Sequence, residues 1–224
     1  MKTIILKGRA HPSKGKVQNT GAAKKKHKPW PGECLIMLDC ETAGLDHEVY
    51  SLLSVAACSI EDPVQQLYLE LKPINNNFDP EALEKNGLDF ERLKHEGLPP
   101  ERALRLLLKF VKKVAGKRLP VQVGRNPGFD KDFVRKYCKA FDLRWPFHYV
   151  PLDLISYYMG MMACNFEKAQ TVNVDSRFWV GQPEHHALKD VLRQLKEWQR
   201  YQQFQGERFV LPNLAALHGK TDLF

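Results

Sequence analysis

The sequence predicts an α/β domain built on a mixed sheet, and three observations lead there. A continuous apolar run, Leu35–Leu38, ends in acid at Asp39, the pattern of a buried central strand. Two further apolar segments, Leu52–Ile60 and Gln65–Leu71, follow it and are joined by a turn at Glu61–Pro63, so the chain opens as a meander of strands. Beyond that point helical periodicity alternates with one more strand, an order that belongs to α/β folds.

Taken along the chain, Asp79–Lys85 is a short helix with Pro80 in its first turn, ended by Asn86-Gly87. Pro100–Ala115 is amphipathic, with Ala103, Leu106, Leu107, Phe110, Val111 and Val114 at helical spacing. Val121–Val123 is a short strand, Lys131–Phe141 a helix, and Leu152–Cys164 a helix of small and apolar residues. Residues 165–183 have weak periodicity and read as a loop. The last long helix, His186–Gln203, carries Leu188, Leu192, Leu195 and Trp198 along one face. No internal repeat is present.

This organisation places a basic arm at residues 1–32, a folded domain at 33–206 and a tail at 207–224. The arm is rich in Gly, Lys, Ser, Asn and Pro beyond a possible short strand at Thr3–Leu6, so it has no core of its own. Residues 1–28 hold nine Lys and Arg and no acid, against a net charge of +8 for the whole chain, which leaves the remainder close to neutral. Such an arm is either an electrostatic handle for phosphates or a solvated tail. Lys24–Lys28 also passes as a nuclear localisation patch.

Bulk properties exclude several classes. At 224 residues with 43% hydrophobic content, the chain can bury a substantial core. It contains no run of eighteen apolar residues, which argues against a membrane span. Met1–Leu6 is too short for a signal peptide. The five cysteines are odd in number and form no CxxC pair, which argues for a reducing, cytoplasmic setting and against a disulfide framework or zinc ribbon.

Three elements could carry chemistry. Asp39 and Glu41, two apart at the end of the first strand, project from the same face, just before a turn at Thr42-Ala43-Gly44. Taken alone they could be an ordinary charged strand end. Asn126-Pro127-Gly128 is a turn that leads to Asp130 at a helix start, where Asp also serves as a plain N-cap. Finally, His185 and His186 precede Ala187 and Asp190 at the start of the last helix, where an isolated match would be a surface helix with a satisfied histidine.

In combination the three segments, LIMLDCETAGLD, GRNPGFDKDF and HHALKDV, are far more specific. Their residue types, order and contexts resemble the DEDDh 3′→5′ exonucleases of the ribonuclease-H-like superfamily, the group of RNase T, oligoribonuclease and the proofreading subunit of bacterial DNA polymerase III. FDPEALEKNGLD also resembles the segment after the third strand in RNase T. The resemblance covers roughly Cys34 to Tyr201. It implies a ribonuclease-H-like mixed sheet flanked by helices and hydrolysis of single-stranded DNA or RNA from the 3′ end. It further implies that Asp39, Glu41, Asp130 and Asp190 hold two Mg²⁺ or Mn²⁺ ions and that His185 is the general base. The tandem histidines leave the assignment open by position, since an i,i+4 pair of His186 with Asp190 would be a structural contact; the spacing of the family that the sequence resembles selects His185.

By the same resemblance, Thr42, Ala43, Gly44 and Leu45 grip the terminal nucleotide. Leu45 acts as an apolar wedge against its base, the alternative being a buried turn residue. Asn126 flanks the second motif, and Arg125 stands where many relatives have His, an exchange that could reach a phosphate or could change strand choice. The group Arg177-Phe178-Trp179 is fit to stack a base or to cover a core edge. A dimer is implied only by the relatives' habit. The final Asp222-Leu223-Phe224 resembles peptides that dock on a bacterial sliding clamp, although an ordinary packed C-terminus competes with that reading. A non-catalytic binding module on the same fold, and an endonuclease of ribonuclease H type, are the rival functions. The presence of all five motif residues and of the His-x-Ala-x-x-Asp spacing counts against both.

Overall fold

The computed structural model describes residues 32–208. The expected arm up to residue 31, the Thr3–Leu6 strand and the tail with Asp222-Leu223-Phe224 lie outside the described residues. Five strands form one mixed sheet: β1 (Glu33–Thr42), β2 (Leu52–Ser59), β3 (Gln66–Glu70), β4 (Leu119–Gly124) and β5 (Leu152–Asp153), in the order β3-β2-β1-β4-β5. β1 pairs antiparallel with β2 and parallel with β4, so it is the central strand that its apolar run predicts. The fold is α/β and ribonuclease-H-like. β1 runs to Thr42, so Asp39 and Glu41 lie within its last turns of ladder, paired opposite Ala56 and Ser54. The register shifts between Glu41 and Thr42, and the chain bends out of the sheet there.

The helices are α1 (Pro80–Asn86), α2 (Phe90–Glu96), α3 (Pro100–Ala115), α4 (Pro127–Ala140), α5 (Leu154–Met162), α6 (Phe166–Ala169) and α7 (Ala187–Arg208). α1 is capped as its sequence implies. The Asp79 side chain accepts from the Glu81 N–H, and Gly87 closes the helix in the left-handed region at φ 65°. α2 was not expected. It is two turns long, capped by Asp89 and buried through Phe90 and Leu93. α4 begins four residues before the expected Lys131, because Asn126-Pro127-Gly128 is its cap and first turn, with Pro127 at N1. Asp130 is therefore an inward-facing residue of that first turn, 4% exposed, and not a cap. Leu152–Asp153 pairs as an edge strand before α5 begins. The presumed loop at 165–183 contains α6 and a 3₁₀ turn at Thr171–Asn173.

Two cores lie on the two faces of the sheet. Cys34, Ile36, Leu38 and Cys40 of β1 join Leu104, Leu107 and Val111 of α3 and Phe133 and Tyr137 of α4. Met37 faces the other way, toward Leu154 and Tyr158 of α5 and Val191, Leu195, Trp198 and Tyr201 of α7. Phe178 belongs to this second core: it is 2% exposed and meets the rings of Tyr158, Tyr201 and Phe204. Arg177 pairs with Asp175 and lies over the Phe178 and Phe204 rings. The base-stacking reading of this segment thus gives way to the core-edge reading for Phe178.

Candidate active site

The ends of β1 and β4, the N-termini of α4 and α7, and α1 converge on an open cavity of about 440 Å³. Asp39, Glu41, Asp130 and Asp190 all line it. Oxygens of Asp39, Glu41 and Asp190 lie within 4.8 Å of one another. Proximity of this kind is costly for bare carboxylates. Burial, then the charge of Asp190, raises the Asp39 pKa, with the Gln194 amide and Arg193 opposing. Burial, then the charges of Asp39 and Asp190, pushes Glu41 up to about 8. Asp130 is raised well above the usual carboxylate range by burial and then by Asp39. An all-oxygen donor set whose members repel each other fits hard divalent cations, which would hold every member ionised.

Asp190 is held by three donors. The backbone N–H groups of Glu184 and His186 reach its two oxygens at 3.2 Å each, and the Arg193 Nε donates at 3.1 Å. The first two bracket His185, whose backbone sits in the left-handed region at φ 52°. His185 is exposed and lines the cavity. His186 instead stacks on Tyr68, ring centroids 4.8 Å apart and 22° from parallel. The tandem histidines therefore occupy separate environments, and only one of them lines the cavity.

The turn after β1 divides in the same way. Thr42 and Leu45 line the cavity, and Leu45 is 80% exposed, so it is no buried turn residue. Ala43 is fully buried, and its backbone is spent on Ser51 and Asp79. Gly44 lies under the Tyr50 ring, where a Cβ would come within 2.5 Å of ring carbon. These two shape the turn and do not line the cavity. Asn126 does line it, with a backbone φ of 50° and its N–H bonded to Asp153.

Arg125 departs from expectation. Its side chain is 9% exposed, and it pairs with Glu197, itself 2% exposed, through Nε to Oε2 at 3.0 Å. Tyr201 donates to the same carboxylate. Arg125 lines the cavity, but its guanidinium is engaged by the buried Glu197. Several cavity residues were not singled out in the sequence, among them Gln194, Arg193 and Phe129, and Glu81, Lys85 and Asn86 of α1. Gln194 and Arg193 stand four and three residues beyond Asp190, a helical spacing that could have flagged them.

No family model matches the chain. It is 30% identical over 191 residues to the 3′-5′ DNA exonuclease Cap18 of Escherichia coli, a match that spans 85% of this chain and 97% of that protein. The chain belongs to the DEDDh 3′→5′ exonucleases. Ribonuclease T of Actinobacillus pleuropneumoniae is also 30% identical, over 69% of this chain and 77% of its own length. Among solved structures, the zinc-bound complex of E. coli exonuclease I with single-stranded DNA superposes with a TM-score of 0.62 at 14% identity. This exonuclease chain covers 41% of that longer protein, with 78% of its own length aligned. A 3′-exonuclease that recognises a histone mRNA stem-loop superposes with a TM-score of 0.60 at 10% identity, over 79% of this chain and 68% of that one. Divalent metal use follows from this family of exonucleases and from the acidic cluster.

Proposed function

We propose that the chain hydrolyses single-stranded nucleic acid one nucleotide at a time from the 3′ end, with two Mg²⁺ or Mn²⁺ ions held by Asp39, Glu41, Asp130 and Asp190. The observation that carries this is the meeting of Asp39, Glu41 and Asp190 oxygens within 4.8 Å at the floor of an open cavity. When bound, the cations supply neutralisation of the four acids and of charge developing on the attacking and leaving oxygens. His185 takes the proton from the attacking water, a task that suits an exposed imidazole at neutral pH. Its place beside Asp190, on a backbone bracketed by that carboxylate's two bonds, keeps the base close to the acids it must serve. Leu45 packs against the terminal base, and Thr42 faces the same nucleotide from the strand end. Arg125 positions the site from within and does not bind phosphate. DNA is the favoured substrate, since the relative matched over 97% of its length is a DNA exonuclease.

A 5′-labelled single-stranded DNA incubated with Mg²⁺ should give a ladder of successively shorter strands, and a 3′-labelled one should give only mononucleotide. EDTA should abolish both. Cleavage that begins inside the strand, or that survives chelation, would overturn the proposal. His185→Ala should lower turnover by ~10²-fold or more, the scale of general-base loss. His186→Ala should do much less, because that ring is committed to Tyr68.

A further inference from the structure

We infer that Gln194 is a positioning residue for Asp39, replacing with its side-chain amide the sheet rung that is missing between β1 and β4. The inference rests on the reading of Asp39 as a metal ligand. The parallel ladder between these strands runs from Glu33 opposite Leu119 to Met37 opposite Val123 and goes no further. Asp39 and Arg125 each lie two residues past that last pair. Gln194, 2% exposed, fills the gap from α7. Its Nε2 donates to Asp39 Oδ1 at 3.0 Å, and its Oε1 accepts the Arg125 backbone N–H at 2.9 Å.

The chemistry of the two partners fixes which way the amide points. A backbone N–H can only donate, so it claims the amide oxygen and leaves the NH₂ for the carboxylate. One oxygen of Asp39 is therefore engaged by the amide, which would leave the other to ligate a cation. A carboxylate with one fixed oxygen cannot rotate away from its productive geometry, which is what outer partners of metal ligands do. Gln194 is itself anchored. Glu197, one turn on, grips the Arg125 side chain, and Tyr201, a further turn on, donates to Glu197. Asp190, Gln194, Glu197 and Tyr201 thus form one polar row along α7 at helical spacing, all aimed at the end of β4 and the acids. Gly124 leaves the necessary room: a Cβ there would lie 3.1 Å from the Leu38 carbonyl and 3.5 Å from Gln194 Oε1.

The test uses the full chain and Mn²⁺ alone as probe, titrated by calorimetry, beside steady-state hydrolysis of a single-stranded oligonucleotide. Gln194→Met keeps length and apolar packing but removes donor and acceptor. It should weaken Mn²⁺ binding by ~10–100-fold, the usual cost of losing an outer partner. Turnover should fall in step while KM stays within about twofold of wild type, since the buried amide of Gln194 is spent on Asp39 and Arg125. Gln194→Ala should show the same losses, which covers the case in which the methionine misfits. Binding and turnover equal to wild type in both variants would overturn the inference. Asp39→Asn, measured in parallel, separates the two ideas. If it binds Mn²⁺ and hydrolyses as wild type does, the ligand reading itself falls. If it loses both while the Gln194 variants keep both, only the positioning role falls.

Discussion

Along β1 the two faces of one strand lead different lives. The even-numbered side chains, Cys34, Ile36, Leu38 and Cys40, all enter the core formed with α3 and α4. The odd-numbered ones begin alike, with Leu35 and Met37 in the core toward α7, and then change to Asp39 and Glu41. The first face is packed apolar from Cys34 to Cys40, where it reaches the edge of the cavity. The second gives up burial of carbon over its last residues and gathers carboxylates that repel one another. The contrast teaches where stability and chemistry have been separated: a period-2 strand lets one segment serve both, with no residue asked to do both.

The contrast can be broken from either side. The largest effect should come from Asp39→Ala, which should cut hydrolysis by ~10³-fold, the scale of removing one preorganised electrostatic contact. Its melting temperature without metal should hold or rise, because a repulsive neighbour of Glu41 and Asp190 has gone. A large drop in melting temperature would mean that the acid is structural. The mirror experiment is Leu107→Ala, a fully buried α3 residue packed on the opposite face of the strand. It should cost about 2–5 kcal/mol of stability, read as a lowered denaturation midpoint, with turnover per folded molecule unchanged.

A subtler separation comes from pH. In an unfolded chain Asp and Glu titrate near ~4. In the fold Glu41 is pushed up to about 8, and Asp39 is raised by the same burial and mutual repulsion. Between those limits the folded state binds more protons than the unfolded one, so stability of the metal-free protein should fall as pH climbs from ~4 toward about 8. Saturating Mg²⁺ should remove most of that slope. Denaturation midpoints at several pH values, with and without Mg²⁺, would show it, and identical slopes would sink the cation reading. The smallest effect belongs to Leu45→Ala. An 80%-exposed side chain contributes little to the fold, so stability should move by no more than ~0.5 kcal/mol, while KM rises a few-fold.

The same strand marks what the sequence made legible. The apolar run ending in Asp39 and the His185–Asp190 spacing are local patterns, and each stands where its pattern implied. What stayed hidden depends on partners far along the chain. Arg125 looked free for a phosphate because Glu197, its partner, is 72 residues away. Gln194 looked like any polar residue of a helix, since its role exists only where β4 stops short of Asp39. α2 was missed for a different reason, being a two-turn helix whose apolar residues, Phe90 and Leu93, are too few to show a period. The early start of α4 was lost because Asn-Pro-Gly is read as a turn, whereas here Asn126 adopts a left-handed backbone and Pro127 begins the helix.

The polar row on α7 has a consequence for the order of events in synthesis. Asp39 and Glu41 emerge from the ribosome first and Asp130 after them, but Asp190, Gln194 and Glu197 arrive only with α7, the last helix among the described residues. Until that helix docks, the cluster lacks its fourth acid, Asp39 lacks its amide donor and His185 lacks its brackets. Domains fold as units, so a nascent chain that has not yet delivered α7 holds no complete cutting centre.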